Sequence, residues 1–534
     1  MKRSQGNAVL RHAGIISLMT AISRIGGLGR ELLMAYLFGT SSLQSAFVVA
    51  FRLPNLFRRL FGEGALTNAF IPVFSETLLK EGKESATRFA GMVAGLQSIV
   101  LAVLVASAIA VSLLVESWLP DGSRWVQILF LARIMLPYAL LICQTAILSG
   151  MLNSVDRFTI PSLTPCVLNI VWGAALIICP FISKDELIRI QFVSYAILLA
   201  GVVQLLFQLP ELHRAGLRLR PCYAFRRALA QPKVRQVLTL LAPTILGSGL
   251  DQINMCLDGV LAFHAEPWAP AALEYADRIA YLPLGMFSTA FATVLLPVYS
   301  RAAALNDFQA IRSALSENLR HLSLITAPVL MAMTLLPWHL TDAVYVWPDG
   351  KFAADSLYYT GLAVLAFAPG MFVFSAQKCV TPIFFALKDS RTPMKISIAC
   401  IGLNLSLNLV SVFLLPSPFK HVGLTLSTVL CSLVNVLIST RILNRRHALI
   451  SWHAILPTAL KATLCAFLSV GAAWLLLQTA STDCAKLARL LWLAVAGAFA
   501  ALLYIALLRF AMPQDFQAFQ VALQSIRNRR TPSQ

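Results

Sequence analysis

Seven ionisable residues sit inside two apolar stretches near the start of the chain. Arg24, Arg30 and Glu31 interrupt SLMTAISRIGGLGRELLMAYLFG (17–39); Arg52, Arg58, Arg59 and Glu63 interrupt SAFVVAFRLPNLFRRLFGEGALTNAFIPVFSE (45–76). Each stretch is long enough to cross a bilayer, and a charge at mid-membrane costs about 2.5–3.5 kcal/mol on insertion scales, so such residues persist only where they face a wet cavity or a partner. Five arginines against two carboxylates leave a positive surface, and its natural occupant is an anion. Guanidinium forks suit phosphate oxygens because they offer two parallel, charge-assisted bonds and never deprotonate. Arg278 in a later YADR run and Lys378 further on extend the cationic set. The acids Glu63, Asp251, Asp258 and Asp277 are candidates for charge balance or for a cation. Asp251 and Asp258 are seven residues apart, close to two helical turns, and so share a face; they are expected to counter Arg24 and Arg30 when no anion is bound. Paired carboxylates acting as catalytic acids would need a nucleophile or metal, and H-E-x-x-H, G-x-S-x-G and P-loop spacings are absent. No metal and no cofactor is expected. The chemistry is that of a carrier for something acidic.

The remaining composition says what must hold these residues. Among 534 residues, 58% are hydrophobic and 13% charged, against roughly a quarter charged in soluble domains. The expected fold is an all-α polytopic membrane protein. A net charge of +19 does not imply nucleic acid as a partner, because the basic residues lie mainly in short loops between apolar runs, where positive-inside topology accounts for them. The ten cysteines fall mostly in apolar segments with no C-x-x-C pair, as expected of core packing. The basic start, MKRSQGNAVLRH, leads into an arginine-interrupted segment without a small-residue cleavage site, which reads as a retained first helix.

Apolar windows fall near 13–38, 45–78, 88–116, 126–152, 160–181, 187–210, 235–263, 273–300, 311–337, 356–386, 391–415, 421–443, 455–478 and 488–510. They predict about 14 transmembrane helices. Alternate loops carry most of the Lys and Arg, which places both termini in the cytoplasm of a multi-pass inner-membrane protein. The basic loop 211–235 is a seam, and the chain beyond it repeats the chain before it: NAFIPVFSE (68–76) pairs with TVLLPVYSR (293–301), and NSVDRFTIPSLTP (153–165) with ALKDSRTPMKIS (386–397), aligning Asp156 with Asp389 and Pro161 with Pro393. This pattern implies two six-helix lobes in a parallel repeat. The division is 1–210 as the N-lobe, 211–235 as a cytoplasmic linker, 236–443 as the C-lobe, 444–510 as two extra C-terminal helices and 511–534 as a cytoplasmic tail.

SRIGGLGRELLMAYLFG, AFRLPNLFRRLFGEGALTNAFIPVFSE, RFTIPSLTPCVLNI, YADRIAYLPLGMFSTAFATVLLPVYSR and GLTLSTVLCSLVNVLIS closely resemble the MurJ (MviN) lipid II flippases of the multidrug/oligosaccharidyl-lipid/polysaccharide exporter superfamily. The resemblance runs from the first helix to at least the twelfth. It implies a substrate, lipid II (undecaprenyl-pyrophosphoryl muropeptide), moved from the inner to the outer leaflet by alternating access for peptidoglycan synthesis. It carries cavity cations onto Arg24, Arg30, Arg58, Arg278 and Lys378, and a lipid-tail groove onto the last two helices. Membrane lipids, and the cell-wall synthesis machinery as a candidate protein partner, complete the implied company. Two positions depart from the family pattern: Ser45 and Tyr281 stand where acids are common, which bears on the cavity's charge balance. A multidrug exporter, or another polyprenyl-linked oligosaccharide exporter of the same superfamily, is the alternative; a drug exporter is expected to favour acids and aromatics over an arginine excess. An intramembrane enzyme on polyprenyl phosphates would need an acidic metal-binding cluster at a loop, and the sequence offers none.

Overall fold

The computed structural model describes residues 2–62, 65–120, 122–479, 485–518 and 520, with side chains outside 2–18, 20, 65, 67–68, 242–248 and 285–294. The described residues are helical apart from turns and short connections, and the chain packs as two compact units, 1–271 and 272–534. The first holds α1 (Lys2–Phe38), α2 (Ser42–Phe61), α3 (Ala65–Trp118), α4 (Arg124–Met135), α5 (Tyr138–Asn153), α6 (Thr159–Ile182), α7 (Glu186–Arg214), α8 (Phe225–Ala230) and α9 (Pro232–Ala265). The helix α10 (Ala269–Ala304) crosses the boundary. The second unit continues with α11 (Phe308–Leu335), α12 (Pro337–Tyr345), α13 (Ala354–Phe367), α14 (Gly370–Ala386), α15 (Arg391–Leu414), α16 (Lys420–His447), α17 (Trp452–Gln478) and α18 (Lys486–Ala511). Among the described residues, each apolar window is largely helical. Among the described residues, eight helices are long and apolar enough to cross a membrane, or up to ten if each of two bent pairs is one span.

Several windows differ from the expectation in where they break. The window 45–78 is not one helix: α2 ends at Phe61, and α3 starts at Ala65 and runs on through the next window with a non-helical Gly82 at φ 82°. Gly62 sits at the break, as a residue that leaves a helix readily. Prolines divide two other windows, Pro137 between α4 and α5 and Pro369 between α13 and α14, because a ring without an N–H interrupts the i→i−4 ladder. At Pro337 the chain turns by 86° from α11 into α12. Starts are fixed by side-chain caps: Ser41, Asp185 and Asp307 each accept a first-turn N–H.

The first unit closes around aromatics. Phe47 and Phe51 of α2 meet Trp172 of α6 edge-on at 5.4 and 5.1 Å, and Phe70, Phe74 and Phe89 stack within α3. The helix α9, which the repeat groups with the second half, packs on α2 and α3 in this unit. In the second unit α17 packs on α11 and α18 on α17.

The repeat is legible in the backbone, with one correction of register. The helices α6 and α15 are both 24 residues long, and the offset that pairs Pro137 with Pro369 and Pro161 with Pro393 pairs Asp156 with Lys388 rather than with Asp389. Asp156 and Lys388 both adopt left-handed conformation (φ 58° and 60°) just after a helix, where the αL residue lets the next N–H reach back to the last turn. Arg157 and Asp389 are then equivalent, and each ties its loop to the end of the next-but-one helix: Arg157 to Glu211, Asp389 to Arg446.

Asp389 also caps α15, accepting from the Thr392 hydroxyl at 2.6 Å and its N–H at 3.0 Å. Those bonds, with Arg446, hold its carboxyl down to about 2. A depressed carboxylate adds stability that is complete above the unfolded aspartate's value near 4 and drains away as pH falls toward 2. Asp389→Asn should therefore lower the unfolding temperature at pH 7, by an amount corresponding to about 1 kcal/mol after solvent screening, and the gap to the parent should narrow by pH 3. A gap independent of pH would remove the carboxylate charge from the account.

Candidate functional site

The cations of the first unit are placed by close helix contacts. The helix α1 lies along α6 because Gly26 and Gly27 present no side chain there: a Cβ on Gly26 would sit 3.5 Å from that of Asn169. Asn169 donates to the Ser23 carbonyl at 2.9 Å and accepts from Arg30 at 3.3 Å. The Arg30 guanidinium also meets the Glu31 carboxylate at 2.6 Å and lies over the Trp172 ring, 4.0 Å from its centroid. Both members of the ion pair are nearly sequestered, with side chains 12% and 10% exposed. Arg30 Nε is buried, and among the described residues no acceptor reaches it. A cation held by one carboxylate, an amide and a ring, with a donor to spare, is poised to exchange that carboxylate for a more highly charged anion. Arg24 is exposed, about 9 Å back along the axis and on a different part of the helix surface.

On α2, Arg52 reaches α9. Its Nη1 donates to the Met255 carbonyl at 2.8 Å and occupies a slot that exists because residue 259 is glycine; a Cβ there would stand 2.6 Å from Nη1. Arg58 is half-buried, while its neighbour Arg59 is exposed and donates to Gln252 of α9 at 3.1 Å. Adjacent residues on a helix point about 100° apart, so the two arginines serve different faces. On α9, Asp258 accepts from Asn254 at 3.2 Å and Asp251 is exposed. In this conformation the carboxylate on Arg30 is Glu31, not either α9 acid. Glu63 lies outside the described residues.

The second unit carries the other candidates. Arg278 pairs with Glu274, one turn earlier on α10, at 2.7 Å; Asp277 beside it is half-buried. Tyr281 stacks on Phe374 with ring centroids 6.1 Å apart. Lys378 on α14 is half-buried with no hydrogen-bond or carboxylate partner among the described residues. Sequence reasoning alone misses Asn169, Trp172 and Glu274. The first two have a signal, a polar residue and an aromatic one turn apart in an apolar helix, and the third stands at the i, i+4 spacing of an ion pair.

Bilayer-length helices that carry an arginine excess within their spans, and prolines that break those spans, define a polytopic membrane transporter. A family model described as "Lipid II flippase MurJ" matches residues 34–496. The chain is 31% identical over 440 residues to a probable lipid II flippase MurJ of Rickettsia prowazekii (80% of this chain, 82% of the relative). It is 32% identical over 421 residues to the lipid II flippase MurJ of Burkholderia cenocepacia (77% and 79%). Among solved structures, a lipid II flippase MurJ in an inward closed conformation superposes with a TM-score of 0.75 at 21% identity, covering 93% of this chain and 98% of that one. An inward-facing MATE family multidrug resistance transporter of the MOP superfamily superposes at 0.62 with 16% identity (79% and 95%), a likeness of fold. The chain belongs to the MurJ lipid II flippase family.

Ser45, one of the two departures from the family pattern, has a structural task. Its side chain is fully buried and accepts the Ala271 N–H in the first turn of α10 at 3.2 Å, so it caps a helix start rather than lining a cavity. The hydroxyl does there what an acid would do more strongly.

The Arg52 slot yields a test. Gly259→Ala should expel the guanidinium from Met255 and lower the unfolding temperature in detergent as Arg52→Ala does, and the double variant should lose little more than either single one. Additive losses would mean that Arg52 and Gly259 act separately.

Proposed function

We propose that this chain is a lipid II flippase, carrying the undecaprenyl-pyrophosphate-linked peptidoglycan precursor from the inner to the outer leaflet by alternating access. The observation that carries the reading is the state of Arg30: a guanidinium largely withdrawn from solvent, balanced by one exchangeable carboxylate, with a buried donor still open. A pyrophosphate supplies more charge and more acceptor oxygens than Glu31 and fits the fork bidentately. Arg24, Arg52, Arg58, Arg278 and Lys378 complete the proposed binding set, and Asp251, Asp258, Asp277 and Glu63 its charge balance. The lobes that alternate are the repeats 1–210 and 236–443, joined by the linker 211–235. The polyprenyl tail is assigned to 444–510, where α17 and α18 expose apolar ridges such as Leu460, Leu464, Leu491 and Leu502. Nothing in this reading requires covalent chemistry, so no enzymatic step is proposed.

Purified chain in vesicles should move fluorescent lipid II between leaflets, and Arg24→Ala and Arg278→Ala, both exposed side chains, should abolish movement at unchanged abundance. Arg30→Ala alone would take a cation away from buried Glu31, so Arg30 is tested with Glu31→Gln present. Normal flipping by all three variants would overturn the arginine assignment.

The proposed topology places both termini in the cytoplasm. A cysteine at Lys184 should react with an impermeant thiol reagent from outside intact cells, and one at Ser313 only after permeabilisation; neither position is buried. The reverse pattern would invert the protein.

A further inference from the structure

A second, separate collection of cations lies within the first unit. The polar stretch of α3 just after Gly82, the last turn of α7, the strap 215–224 and α8 border an open cavity of about 1300 Å³. Lys83, Arg88, Arg218, Arg220 and Arg227 line it, against the single carboxylate of Glu84. That carboxylate is already engaged by Arg88 at 3.1 Å. Among the described residues no carboxylate lies within ion-pair reach of Arg218, Arg220 or Arg227. Unbalanced arginines in a concave wall focus positive potential where a ligand can meet several at once.

The strap is built to hold them there. Gly91 and Gly95 on α3 let it lie directly on the helix backbone: the Cys222 N–H donates to the Gly91 carbonyl at 2.8 Å, and a Cβ at either glycine would overlap the carbonyl oxygen of Arg220 or Cys222. Lys83 Nζ donates to the Ala215 carbonyl at 2.9 Å beside Gly216, whose φ of 72° lets the chain turn off the end of α7. Leu217 is fully buried while Arg218 and Arg220 are exposed, so the apolar residues of the strap pin it and the arginines present outward. The arginines thus hang from a fixed frame rather than a loose loop.

We propose that this cavity is a binding site for a phosphate-bearing anion at the membrane surface, distinct from the transport arginines. Several guanidiniums converging on one hollow select multidentate phosphate over a lone carboxylate. A lipid headgroup and a soluble phosphate offer the same chemistry. The position favours the lipid: the apolar run of α3 begins at Phe89, directly after the cavity's Arg88, and Tyr223 and Phe225 beside it are 65% and 43% exposed, as aromatics are at the water–bilayer boundary. Because the strap and α8 lead into α9, an anion bound here fastens the α7–α9 connection to α3.

The test is calorimetric titration of the full-length protein in detergent, carrying Arg24→Ala to weaken anion uptake at the transport site. The probes are dihexanoyl phosphatidic acid, dihexanoyl phosphatidylcholine and inorganic pyrophosphate. Phosphatidic acid should bind saturably, more weakly as salt rises, and phosphatidylcholine should not. Arg218→Gln, Arg220→Gln and Arg227→Gln together should weaken binding at least about ten-fold, while the corresponding triple Lys substitution keeps it within a few-fold. The single Gln substitutions give the same ordering should the triple fail to fold. Tighter binding of phosphatidic acid than of pyrophosphate supports the headgroup; pyrophosphate binding alone, still lost in the Gln variants, supports the site with a soluble ligand. No saturable binding by the parent, or equal binding by the Gln variants, overturns the proposal. Lipid II movement is not read here, so this outcome is independent of the flippase reading.

Discussion

Charge that cannot reach water is the constraint on which the rest of this structure depends. An arginine in a bilayer-length helix is stable only with a carboxylate, a carbonyl, a ring or a wet surface against it. The chain uses all four: Glu31 and Trp172 for Arg30, the Met255 carbonyl for Arg52, and open surface for Arg24. The supports differ in how easily they can be exchanged. A carbonyl reached through a glycine slot holds one position and draws α9 onto α2, whereas a carboxylate on the neighbouring residue can turn aside without moving a helix. Arg52 therefore does structural work in this conformation, and Arg30 is the better placed to change partners.

Glycine and proline decide where those supports can form. Gly26 and Gly27 bring Asn169 and Trp172 within reach of α1, and Gly259 admits a guanidinium into a helix contact. Pro137 and Pro369 break spans at equivalent places in the two halves. In both roles the residue matters for what it lacks, a side chain or an N–H, so its effect falls on the neighbouring helix as much as on its own.

Much of this is legible in the sequence, because the signals are large. Apolar windows, buried arginines and loop charge are coarse properties, and the windows are largely helical wherever they are described. The finer errors share a cause: linear spacing does not register a backbone break. The window 45–78 conceals the end of α2, since the residues beyond it are as apolar as those before. Residue type aligns Asp156 with Asp389, whereas the left-handed turn pairs it with Lys388. Ser45 reads in sequence as missing cavity charge, and only the position of Ala271, more than two hundred residues away along the chain, reveals it as a cap. Glu274 stands four residues before Arg278, an ordinary i, i+4 partner that a count of uncompensated cations passes over.

The corrected register separates two kinds of charged residue. At equivalent places in the repeat, one half ties its loop by Arg157 to Glu211 and the other by Asp389 to Arg446, with the signs exchanged. What the two halves have in common is thus a fastening between the turn after α5 or α14 and the end of α7 or α16, not the residues that make it. Either polarity satisfies that geometry, because an ion pair is indifferent to which element supplies the cation. The arginines proposed to bind pyrophosphate have no such freedom: that ligand fixes the sign of whatever binds it, so under the proposed function positions 24, 30 and 278 each require a cation. A residue free to invert is fastening, and one that cannot invert faces a ligand. Arg218, Arg220 and Arg227, with no acid within ion-pair reach among the described residues, differ from Arg157 in having no partner with which to exchange signs, as the anion site proposed for them requires.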